Sequence, residues 1–457
     1  MLNEDLVKFF ASNVKSGSYG DIRLNEREGT LLVIENGKTR RVSQMNDSGF
    51  GLRVMKNGIW GFASSTELSQ KAIKKALDSA YSYAKSKANS KIRFEIDPEI
   101  SNAEAKVPWK RDLRDIELSK KLALVKEADA AAKGKETMST MSAYDEIISH
   151  WVQGSSLGNI TSFYESYPRL IVSSFVKDSI GIQAARKTLG GNCGFEMFEH
   201  DSANELGKEV LEESHNLIGA KAVKGGKYDV VLDPSMTGVY THEAFGHATE
   251  SDAVLAGESV LEGRLGRRVG NDTVTIIDDP TMPGERGSFQ FDQEGTRAKR
   301  RTLVENGVLK SYLTTLETSN RLGLEPNGAG RSMDYSCRPI ARMSNTFIKP
   351  GDFKDDIYED IKEGVAFYGF QYGYVDPGSG KFMFKSQYGR MIRKGKQAEF
   401  IRDAALTGST LEILSRIDAI GKNFALDGGF CGKEGQWVPV TSGGPNIRVR
   451  QVVVGGQ

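Results

Sequence analysis

Apolar and polar residues alternate over long stretches of this chain, and helical periodicity interrupts the alternation at a few places. Residues 20–65 and 139–187 alternate in this way and are rich in β-branched residues, which is typical of half-buried strands. Apolar positions spaced three and four apart predict a helix over 68–84, and further helices near 115–133 and 202–219. The first half is therefore predicted to be strand tracts, each followed by helices.

The second half has a different pattern. The stretch 221–236 combines a Gly/Lys-rich linker with a short apolar strand, "YDVVLD", and one important helix is predicted directly after it. Beyond about residue 270 the chain consists of short apolar runs separated by glycine turns, a pattern of short strands. The prediction is an α+β protein, with an N-terminal α/β domain over 1–222 and a β-rich C-terminal domain over 223–457.

The N-terminal stretch "MLNEDLVKFFASNV" is predicted to form an amphipathic helix. It carries Glu4 and Asp5 and lacks the apolar core and cleavage site of a signal peptide. No run in the sequence approaches the roughly 18 apolar residues that cross a bilayer. The sequence therefore predicts no membrane association.

Charge and cysteine usage exclude two further classes of protein. The chain has 61 Lys and Arg against 60 Asp and Glu, a net charge of +1, whereas a dedicated nucleic-acid binder normally carries a basic excess. Three widely spaced cysteines argue against a disulfide framework, so the cytoplasm is the expected compartment.

The stretch "THEAFGHATESD" contains two histidines, His242 and His247, that stand five residues apart. Zinc helices use a spacing of four, because an α-helix brings those two positions onto one face. At a spacing of five the side chains diverge by about 140° in a regular helix. A π-bulge, one extra residue in the turn, would bring them together, and Gly246 is expected to ease that distortion. The motif therefore predicts a widened, metal-binding helix with Glu243 beside its first histidine.

A catalytic zinc site needs a third protein ligand. Cys431 in "DGGFCGKEGQ" is the favoured candidate, because it is expected to lie in a glycine-rich turn with nothing to bury it. Cys193 in "GGNCGF" is the alternative, although it belongs to the other predicted domain, and Cys337 is expected to be a small buried residue. The remaining histidines are expected to be structural: His150, His200 and His215.

Several blocks of the sequence resemble the TldD/PmbA family, specifically its TldD branch. These blocks are "GFGLRVMKNGIWGFAS", "HEAFGHATESD", "GRLGRRV", "DDPTMPGERGSFQFDQEGT", "NGAGR", "RMSNTFI" and "CGKEGQWVPV". The resemblance implies a metalloprotease subunit whose metal is held by His242, His247 and Cys431, with Glu243 as general base. It also implies a PmbA-type (TldE-type) partner, a heterodimer with an enclosed cavity, and substrates that are unfolded or extended peptides. Zinc is the expected metal, and iron suits the same ligands.

Other residues have candidate roles with plainer alternatives. Arg342 and Asn345 are candidates for stabilising an oxyanion, and Glu250 could orient a ligand histidine; structural roles are the alternative for all three. The stretch 367–384 is a candidate edge strand to which an extended peptide could add as a further strand.

The main rival interpretation is a non-proteolytic metal-binding protein that acts as a regulatory or partner subunit. An intact Glu243 argues against it, because a purely structural metal site needs no base.

Overall fold

The structure is a computed structural model that describes residues 2–84, 103–105, 109–353 and 356–455. Its α-helices are α1 Glu4–Asn13, α2 Gln70–Tyr83, α3 Leu118–Ala131, α4 Ser202–Asn216, α5 Pro234–Val239, α6 Ser251–Leu255, α7 Leu316–Leu322 and α8 Thr410–Arg416. The strands of the first half are β1 Tyr19–Glu35, β2 Lys38–Lys56, β3 Ile59–Ser65, β4 Ala103–Ala105, β5 Thr137–Ser155, β6 Ile160–Ser166, β7 Arg169–Lys177 and β8 Ile182–Gly190. Those of the second half are β9 Lys221–Ala222, β10 Gly226–Leu232, β11 Ile276–Asp278, β12 Arg301–Glu305, β13 Val308–Leu309, β14 Gly330–Arg331, β15 Ile340–Ala341, β16 Asn345–Ile348, β17 Glu363–Asp376, β18 Lys381–Arg393, β19 Lys396–Arg402, β20 Ala405–Ser409, β21 Ile417–Ile420, β22 Ala425–Lys433, β23 Gln436–Gly444 and β24 Ile447–Gly455.

The first half forms one eight-stranded sheet with the path β3-β2-β1-β5-β6-β4, and β7 and β8 extend it from β5. Helix α2 contacts β2 and β3, α3 contacts β5 and β1, and α4 contacts β7 and β8. Each helix buries its apolar stripe against the sheet, as Ile73 and Leu77 of α2 do. The strands and helices predicted for this half are thus present.

Two large sheets build the second half, together with the small two-stranded sheet of β14 and β15. In one of them β17, β10, β24, β20 and β18 pair in sequence, and β18 pairs again with β17, so these five strands close into a ring. The other sheet has the order β13-β12-β11-β16-β23-β22. Helix α5 and the turn that follows it contact β16 and β23 on one side and β17 on the other. The histidine motif therefore lies between the two sheets, inside the core of this half.

The α+β class is confirmed, but the second half contains more helix than the sequence analysis expected. In addition to the segment that follows β10, α7 and α8 pack against this half. Each has seven residues, too few to show a periodic apolar stripe. The boundary between 222 and 223 stays a prediction. No helix in the described part of the chain is long and apolar enough to cross a membrane.

Candidate metal centre

The motif helix begins as a regular helix and widens at the histidines. Asp233 caps α5 by accepting the N–H of Met236 at 2.8 Å. Tyr240–Gly246 is then π-helical, and the N–H of His247 donates to the carbonyl of His242, five residues back. This is the widened turn that the five-residue spacing predicts.

Thr410, the first residue of α8, forms buried hydrogen bonds to the widened turn. The Tyr240 hydroxyl donates to the carbonyl of Thr410 at 2.6 Å. The Thr410 hydroxyl lies 2.8 Å from the carbonyl of Ala244 and 3.0 Å from that of Gly380, and its single hydrogen is shared between these two acceptors. Tyr240 and Thr410 are both fully buried, where a hydrogen bond that is left unmade costs about 1–3 kcal/mol. The widened turn is therefore stabilised by Thr410, which is 166 positions from Ala244 in the sequence.

Gly246 has a packing role that differs from the expected one. Its backbone is ordinarily helical, with a φ of −59°, so the turn does not need glycine's conformational freedom. A Cβ at this position would lie 2.0 Å from the Sδ atom of Met343, far inside van der Waals contact. Gly246 is therefore required because Met343 packs directly against the turn.

The structure brings Cys431, and not Cys193, to the two histidines. Ligand atoms of His242, His247 and Cys431 all lie within 4.8 Å of one another, and the Cys431 Sγ is 3.3 Å from the Nε2 of His247. They form the one cluster of three or more such residues found among the described residues. Cys193 instead contacts the sulfur of Met197 at 3.4 Å.

Cys431 was expected in an exposed turn, and that expectation is wrong. It lies within strand β22 and is only 3% exposed, opposite Val438 of β23. The turn comes three residues later, at Glu434 and Gly435, which both have positive φ. A glycine-rich strand with little apolar periodicity resembles a loop in sequence, because its side chains do not reveal the pairing.

The three candidate ligands shift one another's ionisation. Burial alone raises the pKa of the Cys431 thiol, but the two neighbouring imidazoles outweigh it and lower the pKa to about 5. Burial lowers the pKa of His242, but Cys431 and Glu243 together raise it above its ordinary value. The Nδ1 atom of His242 is buried and has no hydrogen-bond partner in the protein. Two imidazoles and a readily ionised thiol are a donor set that suits zinc.

Glu250 fixes the orientation of the His247 ring. Its Oε2 atom lies 2.9 Å from the Nδ1 of His247. Burial raises the pKa of Glu250, but Lys433, His247 and Arg342 lower it to about 2. An ionised carboxylate only accepts hydrogen bonds, so the Nδ1 of His247 carries a proton, and the opposite ring nitrogen, Nε2, faces Cys431. The predicted orienting role of Glu250 is therefore supported by its geometry.

Glu243 differs from its neighbours in being accessible. Its side chain is 37% exposed, and its Oε2 atom is 3.6 Å from the Nε2 of His247. Within the motif, His242 and Glu250 are almost completely buried. The carboxylate of Glu243 therefore lies beside the ligand cluster and is open to solvent.

The two oxyanion candidates are committed to other contacts. Arg342 is fully buried and donates to the carbonyls of Cys431 and Gln436, which fixes the strand that carries the cysteine. Asn345 donates to the carbonyl of Asp279 and to the Ser288 hydroxyl. Neither set of contacts supports an oxyanion role.

The other predicted structural residues lie elsewhere in the fold. The ring of His150 stacks on Tyr164 with centroids 4.1 Å apart, and Cys337 contacts Ser336. The Nε2 atom of His215 is buried without a hydrogen-bond partner, and His200 is exposed.

Sequence reasoning missed Lys433, which contacts Glu250 at 3.0 Å. The sequence feature that indicates Lys433 is its position two residues after Cys431, because residues two apart on a strand lie on the same face.

Comparison with known proteins identifies the family. Three domain models match in chain order: PmbA/TldA metallopeptidase domain 1 over residues 20–84, the central domain over 111–223 and the C-terminal domain over 225–456. A metalloprotease of Methanothermobacter thermautotrophicus is 39% identical over 441 residues, with 96% of this chain and 95% of the relative covered. A zinc metalloprotease TldD homologue of Saccharolobus solfataricus is 28% identical, with 96% and 97% covered.

Solved structures share the fold over nearly the whole chain. A proposed modulator of a DNA gyrase from Thermotoga maritima has a TM-score of 0.81 at 23% identity, covering 99% of this chain and 100% of its own. TldE from Thermococcus kodakarensis has a TM-score of 0.78 at 16% identity, covering 99% of each chain. All three domain models match in order, and a relative is 39% identical over 96% of this chain. The chain therefore belongs to the PmbA/TldD family of metallopeptidases.

Proposed function

We propose that the chain is the catalytic, TldD-type subunit of its family and hydrolyses peptide bonds in unfolded or extended peptides. The observation that carries this proposal is the convergence of His242, His247 and Cys431 beside an accessible Glu243. A regulatory subunit that only binds metal would have no use for an accessible carboxylate at this point.

The two histidines and Cys431 are the proposed metal ligands, and zinc is the proposed metal, with iron as the alternative. Bound there, zinc would supply Lewis-acid polarisation of the scissile carbonyl and would lower the pKa of water towards neutrality. Glu250 keeps the Nδ1 proton of His247 in place, so that Nε2 stays available as a ligand atom.

Glu243 is the proposed general base and acid. Its carboxylate accepts a proton from the attacking water and then donates it to the leaving amine. Its exposure of 37% allows water and substrate to reach it, whereas the buried Glu250 is already paired with Lys433.

An extended peptide is proposed to bind along the unpaired edge of β22, beyond the part near Gly428 that packs against the end of β8. In the described part of the chain β22 pairs only with β23, and it carries Cys431 in its interior. Backbone pairing with such an edge binds peptides with little dependence on side chains. The stretch 367–384, the earlier candidate, forms the β17–β18 hairpin; β22 is preferred because it leads directly to the ligand cluster.

A TldE-type partner is proposed to complete the active protease. The likeness to TldE concerns the fold alone, and the partnership is carried over from the family resemblance. The absence of nucleic-acid binding and a cytoplasmic location also stay predictions from composition.

The decisive experiment separates metal binding from catalysis. Metal content is measured in wild type, Cys431→Ala and Glu243→Gln, and cleavage of an unfolded peptide is measured with and without a TldE-type partner. We expect Glu243→Gln to keep its metal and to lose about 10²–10⁴-fold in cleavage rate, and Cys431→Ala to lose metal. Undiminished cleavage by Glu243→Gln would contradict the base role, and full metal retention by Cys431→Ala would remove Cys431 from the site.

A further inference from the structure

The ammonium group of Lys433 lies between two carboxylates, those of Glu250 and Asp252, next to the proposed metal ligands. The Nζ atom of Lys433 lies 3.0 Å from the Oε2 of Glu250 and 2.7 and 2.8 Å from the two oxygens of Asp252. It also donates to the carbonyl of Ala341 at 3.2 Å. Every hydrogen of this ammonium group therefore has an acceptor.

The two contacts of Glu250 share one atom. Oε2 accepts hydrogen bonds from the Nδ1 of His247 at 2.9 Å and from Lys433. Its other oxygen, Oε1, has no hydrogen-bond partner, and the nearest further cation, Arg342, is 3.9 Å away. Lys433 is therefore the closest charge partner that holds the carboxylate against the imidazole.

Removing this lysine would leave the buried carboxylate of Glu250 beside the partly exposed carboxylate of Asp252, with no ammonium group between them. The Glu250 side chain is 1% exposed and that of Asp252 is 28% exposed, and an unpaired buried charge is strongly unfavourable. The Glu250 carboxylate would then lose the cation nearest to it apart from His247 and would turn away from the imidazole. That movement would release the His247 ring from its orientation.

We propose that Lys433 is a positioning residue for the metal centre and acts through Glu250 on the ring of His247. Strand β22 then contributes to the centre twice, with a thiolate at Cys431 and with an ammonium group two residues later on the same face. This inference rests on the proposed metal site.

The test measures zinc affinity by competition with a chelator, in the full-length protein. We expect Lys433→Met to weaken zinc binding by about 10–100-fold, the usual effect of losing a group that orients a ligand. Lys433→Arg should restore most of the affinity, because a guanidinium can still bind the carboxylate. Lys385→Met is the matched control: Lys385 pairs with Asp403 at 2.7 Å with both side chains 20% exposed, and its loss should leave zinc affinity unchanged.

Two further variants separate positioning from general stability. In a Glu250→Gln background, Lys433→Met should add little further loss, because the group through which it acts is already changed. Asp252→Asn, which keeps the contact between Lys433 and Glu250, should bind zinc nearly as well as wild type.

Cobalt loaded at saturating concentration gives a second readout. Lys433→Met should retain the sulfur-to-cobalt absorption band, because Cys431 is intact, and loss of the band would mean that β22 itself is displaced. Equal losses in both backgrounds, an Asp252→Asn defect as large as that of Lys433→Met, or unchanged affinity in Lys433→Met would each overturn the inference. Failure of wild type to bind zinc would instead reject the proposed metal site.

Discussion

Gly246 and Met343 are in direct contact, with the space that a Cβ on Gly246 would occupy already taken by the Met343 sulfur. The contact joins the histidine turn to the segment between β15 and β16. It explains how a helix with one extra residue per turn is kept in a single conformation, since close-packed neighbours leave it no room to relax.

Gly246→Ala should therefore destabilise the protein by about 1–3 kcal/mol, the usual effect of overpacking a core. Denaturant unfolding of the metal-free protein measures this directly. Met343→Ala alone should also destabilise, by leaving a cavity. The double variant should be more stable than the sum of the single effects implies, and strict additivity would show that the contact does not constrain the turn.

Thr410→Val should loosen the turn from its other side. The substitution keeps the shape of the side chain but removes the hydroxyl that donates to Ala244, which leaves a buried carbonyl short of a partner. We expect a loss of about 1–3 kcal/mol in the free energy of unfolding. Thr410→Ser keeps the hydroxyl and should lose markedly less; a loss as large as that of Thr410→Val would mean that the hydroxyl is not the main stabilising group.

The metal-free protein should show a thiolate that ionises in mildly acidic solution. With its pKa lowered to about 5, Cys431 should gain its ultraviolet thiolate absorbance near pH 5, and Cys431→Ser should lack this transition. A lowered pKa stabilises the fold above the pKa of the unfolded thiol, and the stabilisation is lost as the pH falls through about 5. A thiolate transition that appears only near pH 9 would contradict this electrostatic picture.

Gly435→Val should lower the metal content of the protein, because Gly435 lies in the exposed turn that joins β22, the strand of Cys431, to β23. Gly435 has a φ of 74° and open space around it, so the variant strains the backbone without a steric clash. Gly37→Val is the control, because both residues of the Asn36-Gly37 turn also have positive φ, and the space around Gly37 is equally open. Both variants should lose similar stability, but only Gly435→Val should lose metal content. Metal loss in both would mean that general unfolding is the cause.

The sequence allowed the widened turn to be predicted because the angular advance of a helix is fixed geometry. Two histidines five apart either diverge or require an extra residue in the turn, and a backbone bond from His247 to His242 confirms the second outcome. The sheet-and-helix order of the first half was predictable for a similar reason, since long apolar stripes reveal their own period.

The surroundings of the turn were not predictable in this way. Whether Thr410, Met343 or Lys433 reaches the motif depends on how distant strands pair, and no local pattern encodes that. The sequence favours Cys431 as the third ligand but predicts a turn around it, because glycines at 428, 429 and 432 hide the alternation that a strand normally shows.

The two-residue turn at Glu434 and Gly435 sets the register of β22 against β23, with Lys433 opposite Gln436 and Cys431 opposite Val438. Slipping that register by one residue would present Gly432 where Cys431 now stands and would send both the thiol and the ammonium group to the far face. Which side chains of β22 reach the candidate centre therefore depends on their distance in sequence from this surface turn. An insertion or deletion of a single residue in the turn between 433 and 436 would abolish the centre, although no residue that lines it would have changed.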